Sequence, residues 1–258
     1  MFDTHAHLAD RVFDKDRDRV IDRAFDAGVE AIVNVGTDLG TSRQSVALAE
    51  QYDQIYAAVG YHPHDAKAID SQAWDQLVAL TGHEKVVAVG ETGLDFYRDL
   101  SPRPSQIEAF RGHIRLAKQR ALPLIVHDRN AHREVLAILK EEQADTVGGV
   151  LHCFPGDVKM AREASRINFC LGFGGSITFD NSSALAVAES VPLCWVVLET
   201  DCPYLAPVPK RGKRNEPALL VHVLDRLSRE HSSSREEIRR ATTRNAYRLF
   251  KLNPSPTS

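Results

Sequence analysis

The sequence is poor in cysteine and lacks long apolar runs. Its 258 residues include only four cysteines, Cys153, Cys170, Cys194 and Cys202, and none of them forms a C-x-x-C pair. This scarcity predicts free thiols in a reducing compartment rather than a disulfide framework. No apolar run approaches the roughly 18 residues of a membrane span, and the opening MFDTHAHL lacks the regions of a signal peptide. We therefore expect a cytoplasmic protein that does not enter a membrane.

The sequence also lacks a strong excess of one charge. The formal net charge is −3 and the sequence pI is near 6.4, which argues against a basic protein that coats nucleic acid. An enzyme that grips a few phosphates is not excluded, because bound metal ions supply local positive charge. The hydrophobic content of 43% suits one domain with a large core.

Short apolar segments alternate with amphipathic segments along most of the chain. Runs such as VVAVG and LPLIV are typical of strands that are buried on both faces of a parallel sheet. Eight strands are predicted: Met1–His5, Val29–Val35, Ile55–Gly60, Val86–Gly90, Leu122–His127, Gly149–His152, Asn168–Phe173 and Trp195–Thr200. Residues such as Ile107, Phe110 and Ile114 recur at helical spacing between them.

The spacing of these strands favours a barrel. Strand ends recur about every 25–36 residues, the length of one βαβ unit, and eight such units close into a (β/α)8 TIM barrel. A doubly wound open sheet is the alternative, but it usually has a glycine-rich turn where this sequence has DTHAH. We predict one α/β domain over residues 1–253 and a disordered tail over 254–258.

Potential metal ligands occur at or just after the ends of the predicted strands. They are His5, His7, Glu91, His127, His152 and Asp201. In a barrel such positions converge on the C-terminal mouth, where active sites lie. Residues two apart on a strand share a face, so both imidazoles of H-x-H can reach one ion. Six ligands exceed the needs of one ion, so the pattern predicts up to two divalent cations with a shared carboxylate, as in two-metal hydrolases.

Seven segments carry a family resemblance: DTHAHL, GYHPHDA, VGETGLDFY, LPLIVHDR, GVLHCFPGD, LETDCPYLAP and GKRNEPALL. In this order and spacing the sequence resembles the TatD family of metal-dependent deoxyribonucleases, from Asp3 to about Phe250. The resemblance implies a distorted (β/α)8 barrel and hydrolysis of DNA, often as a 3′→5′ exonuclease on single strands. It also implies two metal sites, which share Glu91: His5, His7, Glu91 and Asp201 at one, and Glu91, His127 and His152 at the other.

Two of the ligands have a predicted catalytic role, and three residues near the ligands have alternative interpretations. Asp201 and Glu91 are the predicted catalytic residues, and Asp201 can accept a proton from the attacking water. Glu199 is either a partner behind a ligand, or an acid, or an ordinary carboxylate at a strand end. His62 either contacts the substrate or forms a structural turn. Arg129 either binds phosphate or is a solvated surface residue.

A basic loop and two tyrosines complete the candidate substrate contacts. Lys210, Arg211, Lys213 and Arg214 follow the last strand and either steer a polyanion or serve solubility. Tyr97 and Tyr204 are candidate stacking surfaces for bases. His64, His83, His113, His132, His222 and His231 are assigned no catalytic role.

The sequence leaves three functions open. The first is a phosphodiesterase that acts on the ends of single-stranded DNA. The second is hydrolysis of an ester or amide, such as the deacylation of D-aminoacyl-tRNA. The third is a metal-binding scaffold without activity, which the complete ligand set disfavours. The metal can be Mg²⁺, Mn²⁺ or Zn²⁺, and the sequence does not settle the oligomeric state.

Overall fold

The computed structural model describes residues 1–180 and 182–253, apart from the side chain of Glu230, and the predicted tail 254–258 lies outside the described residues. Within this part of the chain, eight strands alternate with nine α-helices. The strands β1–β8 are Phe2–Ala6, Ala31–Val35, Ile55–Val59, Val86–Asp95, Leu124–Arg129, Gly149–Leu151, Phe169–Phe173 and Val196–Leu198. The helices α1–α9 are Arg17–Asp26, Leu39–Gln51, Ser71–Leu80, Arg103–Arg120, His132–Glu141, Val158–Arg166, Ser183–Ser190, Leu220–Glu230 and Arg235–Leu249.

The strands form one parallel sheet in the order β1 to β8, which curls into a nearly closed (β/α)8 barrel. Where β8 meets β1, the strand pairing within the described residues is reduced to an isolated bridge between Ala6 and Cys202. The amide of His7 donates to the carbonyl of Cys202 at 2.9 Å, and that of Asp201 donates to the carbonyl of His5 at 2.9 Å. The predicted distorted barrel is therefore confirmed.

Two apolar layers fix this architecture. One lies between the strands and the surrounding helices, and the other fills the barrel with residues such as Ile125 and Val150. At the N-terminal mouth the ring of Phe2 packs edge-on against Tyr247 at 5.1 Å and stacks with Phe250 at 5.7 Å. The end of α9 thus closes this mouth. Among the described residues, no helix combines the length and apolar character needed to cross a bilayer.

The strand boundaries differ from the prediction in two places that matter for the site. β8 ends at Leu198 rather than at the predicted Thr200, so two further residues separate Asp201 from the strand. β4 continues past Gly90 to Asp95, because its last residues keep pairing with β5. Gly93 makes this pairing possible: its φ is +138°, and a Cβ there would lie 2.0 Å from the carbonyl oxygen of His127. Glu91 is consequently inside a strand rather than after one.

Candidate metal centre

His5 and His7 lie where β1 reaches the C-terminal mouth. The register with β2 shifts between Asp3 and Ala6, and beyond the shift Ala6 and Leu8 pack in the outer apolar layer. Side chains alternate along a strand, so His5 and His7 turn inward. Their Nε2 atoms are 3.1 Å apart, as the H-x-H spacing predicts.

Glu91 directs its two carboxylate oxygens at different imidazoles. Oε2 is 3.4 Å from His5 Nε2 and 3.6 Å from His7 Nε2. Oε1 is 3.0 Å from His127 Nδ1 and 2.9 Å from His152 Nε2. Only 3% of this side chain is exposed. One buried carboxylate therefore stands between two pairs of imidazole nitrogens.

Asp201 completes the first of these groups. Its Oδ1 is 3.8 Å from His5 Nε2 and 3.4 Å from His7 Nε2. The backbone of Asp201 has a φ of +55°, a left-handed conformation that Asp and Asn adopt more readily than most residues. In the second group, His127 Nδ1 and His152 Nε2 are 3.3 Å apart. The structure thus brings all six predicted ligands together at one mouth.

The two groups fit divalent cations. Atoms that each lie 2.0–2.1 Å from a tetrahedral zinc are about 3.3 Å from one another, and the separations above run from 2.9 to 3.8 Å. His7 Nδ1 lies 3.0 Å from the carbonyl oxygen of Val35, so it carries the proton. In the neutral ring His7 Nε2 would direct a lone pair at carboxylate oxygens, which is repulsive unless a proton or a metal ion lies there. Burial opposes a proton on His7, but Asp201 and Glu91 outweigh burial and raise its pKa.

The pKa values of the buried ligands also indicate that the site favours positive charge. Burial opposes a protonated His152, yet Glu91 and Glu199 outweigh burial and hold the pKa of His152 well above its usual value. Burial likewise opposes an ionised Glu91, yet the charge of His152 and hydrogen bonds from His152 and His127 hold the pKa of Glu91 well below its usual value. The site therefore favours positive charge beside Glu91, and a bound cation would supply that charge once His152 has lost its proton.

His62 lies at the rim of the cluster but is not suited to bind a metal. Its Nδ1 accepts the backbone N–H of His64 at 3.1 Å, so Nε2 carries the proton. That Nε2 is 3.5 Å from Glu91 Oε1. Burial lowers the pKa of His62 to about 3, so the ring is neutral at physiological pH. His62 is thus a hydrogen-bond donor that faces the cluster.

A pocket of about 590 Å³ opens above the cluster. Its walls include three residues that sequence analysis did not select: His64, Asp95 and Arg98. A signal for two of them is present in the sequence. In ETGLD, Asp95 is four residues after Glu91 on one strand and shares its face, and in HPH the two histidines are two residues apart. The first signal was missed because β4 was predicted to end at Gly90.

Glu199 lies behind the cluster rather than in the pocket. Its carboxylate is fully buried, accepts the backbone N–H of Cys153 and is 3.7 Å from His152 Nδ1. This position favours the interpretation of Glu199 as a partner behind a ligand. Burial raises the pKa of the Cys153 thiol to about 12, which leaves it protonated and a poor nucleophile.

The cationic residues predicted to bind the substrate do not all lie at the pocket. Arg129 lines the pocket, and its guanidinium lies 4.4 Å from the centre of the Tyr97 ring. Arg214 instead makes a bidentate ion pair with Asp16, at 2.7 and 2.9 Å, at the base of α1. Arg211 stacks on Phe179 at 3.8 Å, beside a neighbouring cleft.

Lys210 and Lys213 are exposed. The described lining of the pocket includes Arg98 and Arg129 but no residue of the basic loop 210–214. The loop therefore lies outside the pocket, and Arg214 is held by α1 rather than being available to a substrate.

Comparison with known proteins identifies the family. The profile described as TatD related DNase matches residues 2–251. The chain belongs to the TatD family. It is 46% identical to an uncharacterized metal-dependent hydrolase, YabD, of Bacillus subtilis strain 168, over 98% of this chain and 100% of the relative. It is 39% identical to a protein named 3'-5' ssDNA/RNA exonuclease TatD from Cronobacter sakazakii, over 99% of this chain and 100% of the relative.

A solved structure of a TatD homolog has the same fold. The crystal structure of YjjV from Escherichia coli K12 superposes with a TM-score of 0.93 at 32% identity and covers 98% of both chains. The resemblance drawn from the seven sequence segments is thereby confirmed. The protein is a metal-dependent hydrolase of the TatD family with a candidate cation site of His, Glu and Asp.

Proposed function

We propose that this TatD-family hydrolase cleaves phosphodiester bonds at the 3′ ends of single-stranded DNA and releases mononucleotides. The observation that carries the proposal is the position of Glu91, whose two oxygens face separate pairs of imidazole nitrogens at 2.9–3.6 Å. This arrangement fits two cations that share one bridging carboxylate, as in many phosphodiesterases. A relative named 3'-5' ssDNA/RNA exonuclease supports the choice of substrate.

The six clustered residues divide between two cations. We assign His5, His7, Glu91 and Asp201 to the first, and Glu91, His127 and His152 to the second. Divalent cations there neutralise phosphate charge and lower the pKa of water towards 7. Mg²⁺, Mn²⁺ and Zn²⁺ all accept these ligands, though to different degrees. We propose residues 1–253 as the single catalytic domain, and the cytoplasmic location stays a prediction.

Asp201 is the proposed proton acceptor. It lies at the pocket wall next to Glu91, with 13% of its side chain exposed. A carboxylate in this position can accept the proton of an attacking water, a contribution of about 10²–10⁴-fold to rate. Its left-handed backbone and its hydrogen bond to the His5 carbonyl fix it against β1.

Three other residues are proposed to bind the scissile phosphate. His62 Nε2–H is a neutral donor that faces the cluster and can hydrogen bond to a phosphate oxygen. Arg98 and Arg129 line the same pocket and bring positive charge to a diester. Stacking on Tyr97 restricts Arg129, which lowers the entropy lost when the guanidinium binds.

The shape of the barrel favours a strand end as substrate. The N-terminal mouth is closed by Phe2, Tyr247 and Phe250, so a substrate reaches the cluster from the C-terminal side. A blunt duplex must open its end to enter, at about 1.4 kcal/mol per base-pair step. A single strand avoids this cost, and its bases can stack on Tyr204, which lines the pocket and is 54% exposed.

The test uses protein that is stripped of metal with a chelator and then restored with Mg²⁺, Mn²⁺ or Zn²⁺. Substrates are linear single-stranded DNA with a label at either end, a blunt duplex, a single-stranded circle and D-aminoacyl-tRNA. We expect metal-dependent release of mononucleotides from the 3′ end, slower cleavage of the duplex and no cleavage of the circle. The Asp201→Asn protein, prepared in parallel, controls for a contaminating nuclease.

Two outcomes would contradict the proposal. Cleavage of circles as fast as linear strands would rule out entry of a strand end. Metal-dependent deacylation of D-aminoacyl-tRNA without cleavage of any DNA would assign the same centre to ester hydrolysis instead.

A further inference from the structure

Asp95 contacts His127 from the side opposite Glu91. It is the last residue of β4, is 1% exposed, and its Oδ2 lies 3.3 Å from His127 Nε2. The same oxygen lies 2.7 Å from His64 Nε2. The two nitrogens of His127 are thus each faced by a different carboxylate, since Nδ1 faces Glu91 at 3.0 Å.

The other oxygen of Asp95 is occupied by the backbone. Oδ1 accepts the N–H of Tyr97 at 3.0 Å and the N–H of Arg98 at 2.8 Å. Backbone amides can only donate, so Oδ1 has to remain an acceptor. Oδ2 is an acceptor as well because an ionised carboxylate has no proton to give. The ring nitrogen that faces Oδ2 must then be a donor.

We propose that Asp95 is a positioning residue that fixes the tautomer of His127. A proton held on Nε2 by Asp95 leaves the lone pair on Nδ1, the atom that faces Glu91 and His152. Carboxylates that hold the second nitrogen of a metal-binding histidine fix its tautomer and ring orientation. The inference rests on the proposed function, because without a cation Nδ1 also faces a carboxylate, that of Glu91 at 3.0 Å.

Substitution of Asp95 by Asn has a directed effect. An amide has one accepting and one donating end, and Tyr97 and Arg98 both require the acceptor. The amide nitrogen is therefore directed at His127 and donates to Nε2. Nε2 must then carry a lone pair, so the proton moves to Nδ1. The protonated Nδ1 can no longer bind a cation.

The experiment measures the tautomer directly in protein loaded with Zn²⁺. Long-range ¹H–¹⁵N spectra of ¹⁵N-histidine-labelled protein are recorded with and without Zn²⁺ at neutral pH. The His127 signals are assigned by their loss in His127→Gln. With Zn²⁺ we expect a proton on Nε2 and a metal-bound Nδ1 in the wild type, and a proton on Nδ1 in Asp95→Asn. Asp65→Asn is the matched control, because it removes an exposed carboxylate from the same pocket and should leave the tautomer unchanged.

Calorimetric titration with Zn²⁺ provides the second measurement. We expect Asp95→Asn to weaken the binding of one cation by about 10–100-fold. His64→Gln should not do so, because Asp95 still contacts His127. Folding of each variant is checked by circular dichroism.

The possible outcomes separate the two proposals. A proton on Nδ1 in the Zn²⁺-loaded wild type overturns the inference, even if the variant fails to fold. An unchanged tautomer in folded Asp95→Asn overturns it as well. A tautomer switch in a protein that cleaves no DNA supports the role of Asp95 and contradicts the proposed function instead.

Discussion

Replacing Glu91 with Gln should remove the shared ligand while keeping the side-chain volume. In the wild type one oxygen faces His127 and His152, and the other faces His5 and His7. Glutamine offers only one oxygen, so its NH₂ group must face one of these pairs. That pair loses an anionic ligand and gains a donor where a cation should lie. We therefore expect both cations to bind more weakly and one of them to be lost.

The loss of charge sets the magnitude of the effect. Two unit charges 4 Å apart interact by about 4 kcal/mol at an effective dielectric constant of 20, and a divalent ion doubles this to about 8 kcal/mol. Desolvation of the ion and the carboxylate offsets much of this gain. If only a quarter of it remains, about 2 kcal/mol, binding weakens roughly 30-fold. Because Glu91 is nearly fully buried, solvent screens little of the interaction.

The assay combines metal analysis of the purified protein with Zn²⁺ titration and measurement of nuclease activity. Glu50→Gln is the matched control, because Glu50 also pairs with a histidine, His83, but at the protein surface. The control should keep the metal content and affinity of the wild type. Two bound metals in folded Glu91→Gln, with unchanged affinity, would refute the bridging role.

Three further predictions test other parts of the molecule. Asp201→Asn preserves the shape and the left-handed backbone, and it should lower kcat at least about 100-fold in folded protein; a kcat near that of the wild type contradicts its role as proton acceptor. Lys210 and Lys213 are exposed outside the pocket, where they can contact the part of the strand that has not entered it. Replacing both by Gln should therefore raise KM more than it lowers kcat, and it should flatten the salt dependence by about 0.7 log units for each lost phosphate contact; an unchanged slope would assign the loop to solubility. Burial lowers the pKa of His113 to about 4, so the unfolded chain takes up a proton below pH 6.5 that the folded protein refuses. Stability should therefore be complete above pH 6.5 and fall by about 2 kcal/mol from this residue by pH 5; urea unfolding at pH 7.5 and pH 5 should show a smaller loss in His113→Gln, and an equal loss in both proteins would contradict the assignment.

The positions of the ligands along the chain could be predicted because they depend on local pattern. Apolar runs indicate buried parallel strands, and alternation of such strands with helices restricts the fold to few architectures. Once a barrel is expected, residues at strand ends must meet at one mouth. His5, His7, His127 and His152 were selected on this basis, and the structure places their ring nitrogens within reach of Glu91.

The relative directions of the side chains were decided by tertiary structure. Arg214 belongs to a basic run in the sequence, yet it pairs with Asp16, which is far away along the chain and adjacent in space. The contacts of Asp95 depend on the extension of β4, and Gly93 allows that extension only because β5 lies beside it. Strand pairing is a non-local interaction, so the length of the paired segment cannot be predicted from the sequence of either strand alone. The sequence by itself thus determined which chemical groups reach the mouth of the barrel, whereas packing between strands decided which oxygen of Glu91 faces which imidazole.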